Sequence, residues 1–276
     1  SGCGKSTLGR AVLQLLPSTE GTIAWIGQDL ATSDKNALKA IREDMQIVFQ
    51  DPLASLDPRM TAGDIIAEPV RNFHPELTRA EVKARVKTMM EQVGLLPAMV
   101  NRYPHEFSGG QCQRIGIARA MILRPKLVVC DEPVSALDVS IRAQVINLLM
   151  ELQTQLNLSM LFISHDLSVV RHISHRVMVL YLGRVMEVGP RAAIYAEPRH
   201  PYTRALISAV PIADPDKERA KKRIILQDDP PSPLYPPSGC VFRTRCLKAT
   251  DLCAQEIPVT EIAAAEHEVA CHHWRT

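Results

Sequence analysis

The stretch "SGCGKSTLGRAVLQLL", residues 1–16, decides how the chain reads. Its opening matches the second half of a phosphate-binding loop, G-x-x-x-x-G-K-[ST]. Gly4, Lys5 and Ser6 fill the last three places, and Ser1, Gly2, Cys3 and Thr7 complete the segment. Gly2 and Gly4 let the backbone turn its N–H groups toward phosphates, and the following helix points its positive end at them. Lys5 reaches the β- and γ-phosphates of a nucleotide, and the Ser6 hydroxyl ligates Mg²⁺. A flexible Gly/Ser terminus is the plain alternative, but an apolar helical repeat running to Pro17 speaks against it.

Outward from that loop, "GTIAWIG" reads as a strand, "DKNALKAIRED" as a helix and "MQIVFQ" as a buried strand. Residues 61–123 hold only helical patterns. In "TRAEVKARVKTMMEQVGL", Val82, Val86, Met90 and Val93 recur at helix spacing, and Thr78 with Glu81 forms a capping box. Strands return at "LVVCDE", "SMLFISH" and "RVMVLYLGRVMEVG", with the helix "DVSIRAQVINLLMELQTQL" between the first two. Unbroken apolar strands alternating with helices imply an α/β fold with a parallel sheet covered on both faces. A helical block, about residues 53–124, interrupts it. After Gly189 the chain turns Pro-rich and irregular. The expected division is therefore residues 1–190 and 191–276.

The bulk figures narrow the function. With 276 residues, 46% hydrophobic, there is material for one large domain and a smaller one. Net charge is +2 and no five like charges adjoin, which excludes a strong nucleic-acid footprint. No apolar run approaches the length of a membrane span, so a membrane role requires partner chains. The chain reads as cytosolic.

Two further segments carry chemistry. "LVVCDEP" ends an apolar strand in two acids. Asp131 is placed to hold Mg²⁺, and Glu132 to polarise an attacking water. A helix N-cap pair is the alternative. "FSGGQCQRIGIARAM" opens a helix on a glycine pair, a second anion-binding helix start. Two phosphate cradles with one nucleotide loop suggest that two subunits clamp ATP between them.

These segments, taken in order, resemble the ABC ATPases. "SGGQ", Ser108, Gly109, Gly110 and Gln111, is similar to their signature loop. Gln50 matches the Q-loop, "SALD" ending at Asp138 resembles the D-loop, and His165 after "LFIS" resembles the switch histidine. "FQDPLASLDPRMT", "HPYTRALISAVPIADP" and "PPSPLYPPSGCVFRTRC" resemble the dipeptide, oligopeptide and nickel importers of that family. The resemblance implies a P-loop NTPase core with an inserted helical subdomain, and an ATPase that uses ATP and Mg²⁺. The catalytic residues are then Glu132, His165 and Gln50. ATP contacts come from residues 1–7, from Ser108 to Gln111 and from Asp138. Ser6, Gln50 and Asp131 surround Mg²⁺. It further implies a second ATPase subunit, expected to be a paralogue, two transmembrane permeases and a periplasmic or extracellular peptide-binding protein. The place would be the cytoplasmic face of the bacterial inner membrane, without nucleic acid. Family members carry strands and an adenine-stacking aromatic before the loop, so the chain reads as a truncated piece expected to bind ATP poorly. A soluble non-transport ABC ATPase and a catalytically weak regulatory module are the alternatives.

Of seven cysteines, Cys240, Cys246, Cys253 and Cys271 crowd the end of the chain. An intracellular chain rarely uses disulfides, so the group reads as a metal candidate. The spacing lacks a zinc knuckle. Four thiolates suit a [4Fe–4S] cluster, which the resemblance also implies; zinc and unliganded thiols remain open. His272 and His273 beside Cys271 are candidate substitutes, with a solvated chain end as the favoured reading.

Overall fold

The computed structural model describes residues 3–211 and 214–275. They fall into two compact units: residues 6–164, and residues from 165 on together with those up to 5.

In the first unit, helix α1 (Lys5–Val12) is followed by a short hairpin, β1 (Ala24–Trp25) and β2 (Gln28–Asp29). "GTIAWIG" is thus two strands, not one. Ile26 and Gly27 both take positive φ, 48° and 81°, and make the tight turn. Helix α1 also stops short of Pro17, because Gln14 turns to φ 52°. Helix α2 (Lys35–Asp44) leads into β3 (Met45–Val48). The helical block is α3 (Ala62–Phe73), α4 (Arg79–Gln92) and α5 (Gly109–Met121). Val82, Val86, Met90 and Val93 are buried, as their spacing demands. The Thr78–Glu81 capping box forms on both sides. Strand β4 (Leu127–Asp131), helix α6 (Val139–Leu156) and strand β5 (Ser159–Ile163) close the unit. The sheet is parallel, in the order β3-β4-β5.

Packing explains why β4 is central. Val128, Val129 and Cys130 have no exposed surface. Helix α1 lies close over the sheet at Gly9, where a Cβ would come within 2.9 Å of Ile163 Cδ1 and 3.1 Å of Val129 Cγ1. Leu13, Leu30, Met45, Val129 and Ile163 form the apolar layer between.

The second unit contains α7 (Leu167–Ile173), β6 (Arg176–Tyr181), β7 (Arg184–Pro190), α8 (Arg191–Ala196), α9 (Pro201–Ala209), α10 (Pro215–Ala220), α11 (Asp251–Gln255), β8 (Glu261–Ala264) and β9 (His267–Val269). "RVMVLYLGRVMEVG" is a hairpin turned at Leu182 and Gly183, φ 44° and 77°. The tail is not merely irregular. Its strands extend that hairpin into an antiparallel sheet, β6-β7-β9-β8. The compact units divide between 164 and 165, and β7 pairs with a strand some eighty residues on.

One buried network ties this unit together. Glu187 and His267 have almost no exposed surface, and Glu187 Oε1 meets His267 Nε2 at 2.7 Å. The backbone N–H groups of Arg199 and His200 donate to the two oxygens of the same carboxyl group, at 2.7 and 3.0 Å. His200 Nδ1 in turn accepts from the N–H of Tyr202, capping α9. Burial depresses the His200 pKa to about 4.

Candidate nucleotide site

In a parallel sheet the carboxyl ends of the strands share one edge, and ligands bind there. Asp131 ends β4, Glu132 follows it, and Gln50 lies just beyond β3. The Ser6 hydroxyl donates to Asp131 Oδ1 at 2.7 Å. The Gln50 amide Nε2 donates to Glu132 Oε2 at 3.2 Å. Residues 125 and 82 positions apart in the chain thus meet in two pairs. The two pairs bring together four of the residues that the sequence singles out.

The backbone aims these groups. Glu132 sits at φ 48°, a left-handed conformation that a non-glycine residue adopts at a cost. Its N–H donates to the carbonyl of Ile163, so β5 holds the turn in place. The chain leaves the line of β4 there, and the side chain stays half-exposed while Asp131 is buried. Cys130 beside them is inert: burial raises its thiol to about 12.

Ser1 and Gly2 lie outside the described residues. Cys3, Lys5 and Ser6 are half-buried, Gly4 takes φ 86°, and Thr7 is exposed on α1. Oxygen donors from Ser6 and Asp131 at hydrogen-bond distance, with the Gln50 amide against Glu132, are hard ligands suited to Mg²⁺.

The signature segment is built as a helix start. Ser108 is the N-cap of α5, its hydroxyl accepting from Gln111 N–H at 3.3 Å, while Gln111 Oε1 accepts from Ser108 N–H at 3.0 Å. Ser108 and Gly109 are exposed, and nothing lies within 4 Å of a Cβ built on Gly109. The helix terminus is therefore open to an incoming anion. Asp138, the N-cap of α6, is exposed and makes no side-chain cap bond. His165 is exposed and opens the second unit.

Sequence reading missed Arg119. From α5 its guanidinium donates to the Ser55 carbonyl at 2.6 Å and lies 5.9 Å from the centre of the Phe49 ring. Helix α5 thus grips the segment on both sides of Gln50. Burial pulls the Arg119 pKa below its ordinary value, with Glu68 opposing. The available signal was a lone cation within the apolar run "IGIARAM".

The tail cysteines gather without forming a ready ion site. Cys240 and Cys253 are buried in one apolar cluster and Cys246 packs against it. Burial above all raises the pKa values of Cys240, Cys246 and Cys271, the last to about 11, and neighbouring thiols push the same way. Yet among the described residues no three His, Cys, Asp or Glu side chains group closely enough to hold a metal ion. Nor do the two histidines substitute: His273 Nε2 pairs with Thr250 Oγ1 at 2.9 Å, and His272 Nε2 lies 3.2 Å from the Glu256 carbonyl.

Comparison with known proteins shows the family. The ABC transporter family matches residues 1–135, and the oligopeptide/dipeptide transporter C-terminal region matches residues 186–253. The oligopeptide transport ATP-binding protein OppF of Salmonella typhimurium (strain LT2) is 60% identical over 98% of this chain and 81% of its own length. The oligopeptide transport ATP-binding protein AppF of Bacillus subtilis (strain 168) is 54% identical over 99% of this chain and 83% of its own. The solved structure of cbiO1 from Clostridium perfringens, part of the ABC transporter complex cbiONQ, superposes with a TM-score of 0.64 at 28% identity, over 71% of this chain and 76% of that one. An ATP-binding cassette solved as a post-hydrolysis dimer with ADP and Pi gives 0.62 at 28% identity, over 68% and 81%.

Proposed function

The chain belongs to the ATP-binding proteins of ABC transporters, and from that premise we propose that it is the ATP-hydrolysing subunit of an oligopeptide importer. The observation that carries the reading is the double pairing at the strand ends, Ser6 with Asp131 and Gln50 with Glu132. Relatives bearing the name of oligopeptide transport ATP-binding proteins supply the cargo class. No helix among the described residues is long and apolar enough to cross a membrane. Transport then needs permease subunits, with this chain peripheral on the cytoplasmic face and a peptide-binding protein delivering cargo outside.

The residues divide the work. Lys5 neutralises the β- and γ-phosphates, and Ser6 with Asp131 forms the oxygen face for Mg²⁺. Bound there, the ion would spread the charge that develops on the transferred phosphoryl group. Glu132 takes the role of general base for the attacking water, and Gln50 orients its carboxyl group through their hydrogen bond. His165 is assigned to the γ-phosphate. Ser108, Gly109 and Gly110 present an open helix start to the nucleotide of a second ATPase subunit, with Gln111 capping that helix and Asp138 lying near the shared boundary. Binding energy realised only when both subunits meet would tie hydrolysis to movement of the permeases.

For the tail we propose a [4Fe–4S] cluster on Cys240, Cys246, Cys253 and Cys271. Four thiols near enough to sense one another support it, as does the His273 N–H that donates to Cys271 Sγ at 3.4 Å. Anaerobically purified protein should carry about four irons per chain, and Cys246→Ser with Cys253→Ser should remove them. Colourless protein with stoichiometric zinc refutes the cluster.

The test of hydrolysis is Glu132→Gln in the assembled transporter. The amide keeps the shape and loses the base, so turnover should fall by roughly 10²–10⁴ while MgATP still binds. Parental turnover in that variant would refute the assignment.

A further inference from the structure

The C-terminal region and the phosphate loop touch within one compact unit, and the contact is built from particular residues. The β6–β7 turn at Leu182 and Gly183 reaches the loop: Gly183 N–H donates to the Cys3 carbonyl at 3.0 Å. A Cβ placed on Gly4 would lie 3.7 Å from Gly183 Cα, so loop and turn run close together there. Both turn residues are left-handed, and Gly183 at φ 77° is the one that suits glycine.

Behind the turn stands an aromatic wedge. Tyr181, the last residue of β6, is buried, and its ring meets Tyr202 at 4.8 Å and Phe242 at 5.3 Å, both edge-on. Tyr202 and Phe242 complete the triangle at 5.2 Å. The Tyr181 hydroxyl is buried without a hydrogen-bond partner, so this tyrosine is held for its ring and not for its polar end. Leu182 of the turn packs on the same cluster. Phe242 is 1% exposed and lies in "GCVFRTRC", between Cys240 and Cys246. Tyr202 belongs to "HPYTRAL" at the start of α9.

We propose that the C-terminal region sets the order of the phosphate loop through this wedge, with Tyr202 and Phe242 as positioning residues for nucleotide binding. The chain of contact runs from the tail cysteines to Phe242, across the rings to Tyr181, through the turn, and so to the carbonyl of Cys3. Aromatic rings packed edge-on are stiff, and a two-residue turn has little slack. A shift of Phe242 therefore moves the donor that fixes Cys3, two residues before Lys5. Any event that repacks the cysteine-bearing segment is then felt as a change in nucleotide affinity. Reciprocally, nucleotide on the loop steadies that segment, because coupling between two sites acts equally in both directions.

The inference rests on the nucleotide reading above, and the test separates the two. Phe242→Leu and Tyr202→Leu are made in the full chain, and MgATP affinity and hydrogen exchange are measured. Affinity should weaken about five- to tenfold, the lower range of typical site-to-site coupling, while turnover at saturating ATP stays near the parental rate. Exchange should quicken at the amides of residues 3–8 and remain unchanged in β3, β4 and β5, which general unfolding would not spare. The unaltered protein supplies a second arm that survives any failure of a variant to fold: MgATP should slow exchange in residues 240–246. Parental affinity in a folded variant, or exchange at 240–246 indifferent to MgATP, overturns the coupling. Unaltered protein that binds no MgATP at all would overturn the nucleotide reading itself, and the coupling with it.

Discussion

The two compact units place their polar groups in opposite ways. In residues 6–164 two of the candidate polar groups stand beyond the strand ends of a parallel sheet, Gln50 exposed and Glu132 half-exposed, while Asp131 at the end of β4 is buried. In the unit from 165 on polar groups lie inside it. Glu187, His200 and His267 are each at most 2% exposed and bond to one another or to buried backbone. Side chains at a rim are reached by solvent and ligands, whereas those in a core are tied up in holding the fold. The first arrangement leaves side chains within reach of a ligand, and the second holds a tail strand against a hairpin.

The sharpest way to break that contrast is to remove the buried carboxyl group. Glu187→Ala removes the acceptor of the Arg199 and His200 N–H groups and the buried partner of the His267 ring. Breaking a buried pair from one side typically costs about 3–5 kcal/mol. The unit from 165 on should therefore melt early in urea, followed by exchange at β7 and β9, while β3, β4 and β5 keep their protection. Equal loss in both units would mean that the network is not local to one of them.

A smaller effect should follow acidification. His200 is buried neutral, with a folded pKa of about 4 against an ordinary 6.5. Where the folded value is the lower one, the unfolded chain takes up the proton first as pH falls. The stability from the neutral ring is thus complete above about pH 6.5 and is lost progressively toward pH 4. Lowering a pKa by one is worth about 1.4 kcal/mol, which caps the loss at roughly 3 kcal/mol. Protonation also fills Nδ1, the acceptor that caps α9. Urea midpoints of the parent and of His200→Asn should converge between pH 7 and pH 4.5. A constant gap would show that the ring does not titrate across folding.

The same contrast explains what the sequence disclosed. The rim chemistry was legible because it must stand at fixed places: a glycine loop before a helix, acids at the end of an apolar strand, a serine before a glycine pair. The inserted helical block was legible from 3.6-residue periodicity, and Val82, Val86, Met90 and Val93 are buried as read. Both hairpins escaped notice for one reason. Ile26 and Leu182 take left-handed φ, a role expected of Asn or Asp, and only the following glycines signalled a turn. The tail sheet escaped because β9 is three residues long and pairs with β7 across some eighty residues. No local pattern announces a partner so distant. Arg119 escaped because its partners, the Ser55 carbonyl and the Phe49 ring, are defined only by the folded chain.

The smallest predicted effect tests the legible side of the comparison. Thr78 caps α4, its hydroxyl accepting from Glu81 N–H at 3.3 Å, and Glu81 Oε2 accepts in return from Thr78 N–H at 2.8 Å. The Thr78 hydroxyl also donates to Glu81 Oε2 at 2.6 Å, and that bond first and the Thr78 N–H second hold the Glu81 carboxyl group below its ordinary pKa. Thr78→Ala deletes the hydroxyl and leaves one helix-start N–H without that acceptor. The site is exposed, so water replaces the lost partner and no cavity forms. That confines the loss to about 1 kcal/mol, the usual worth of a threonine N-cap. Three features should mark it as local. Exchange should quicken in the first turn of α4, MgATP turnover should stay at the parental level, and Thr78→Ser should restore the loss because serine offers the same acceptor. A loss as large as that from Glu187→Ala would mean that the fold depends on the start of α4 no less than on the buried network, and the division between rim and core would not describe this molecule.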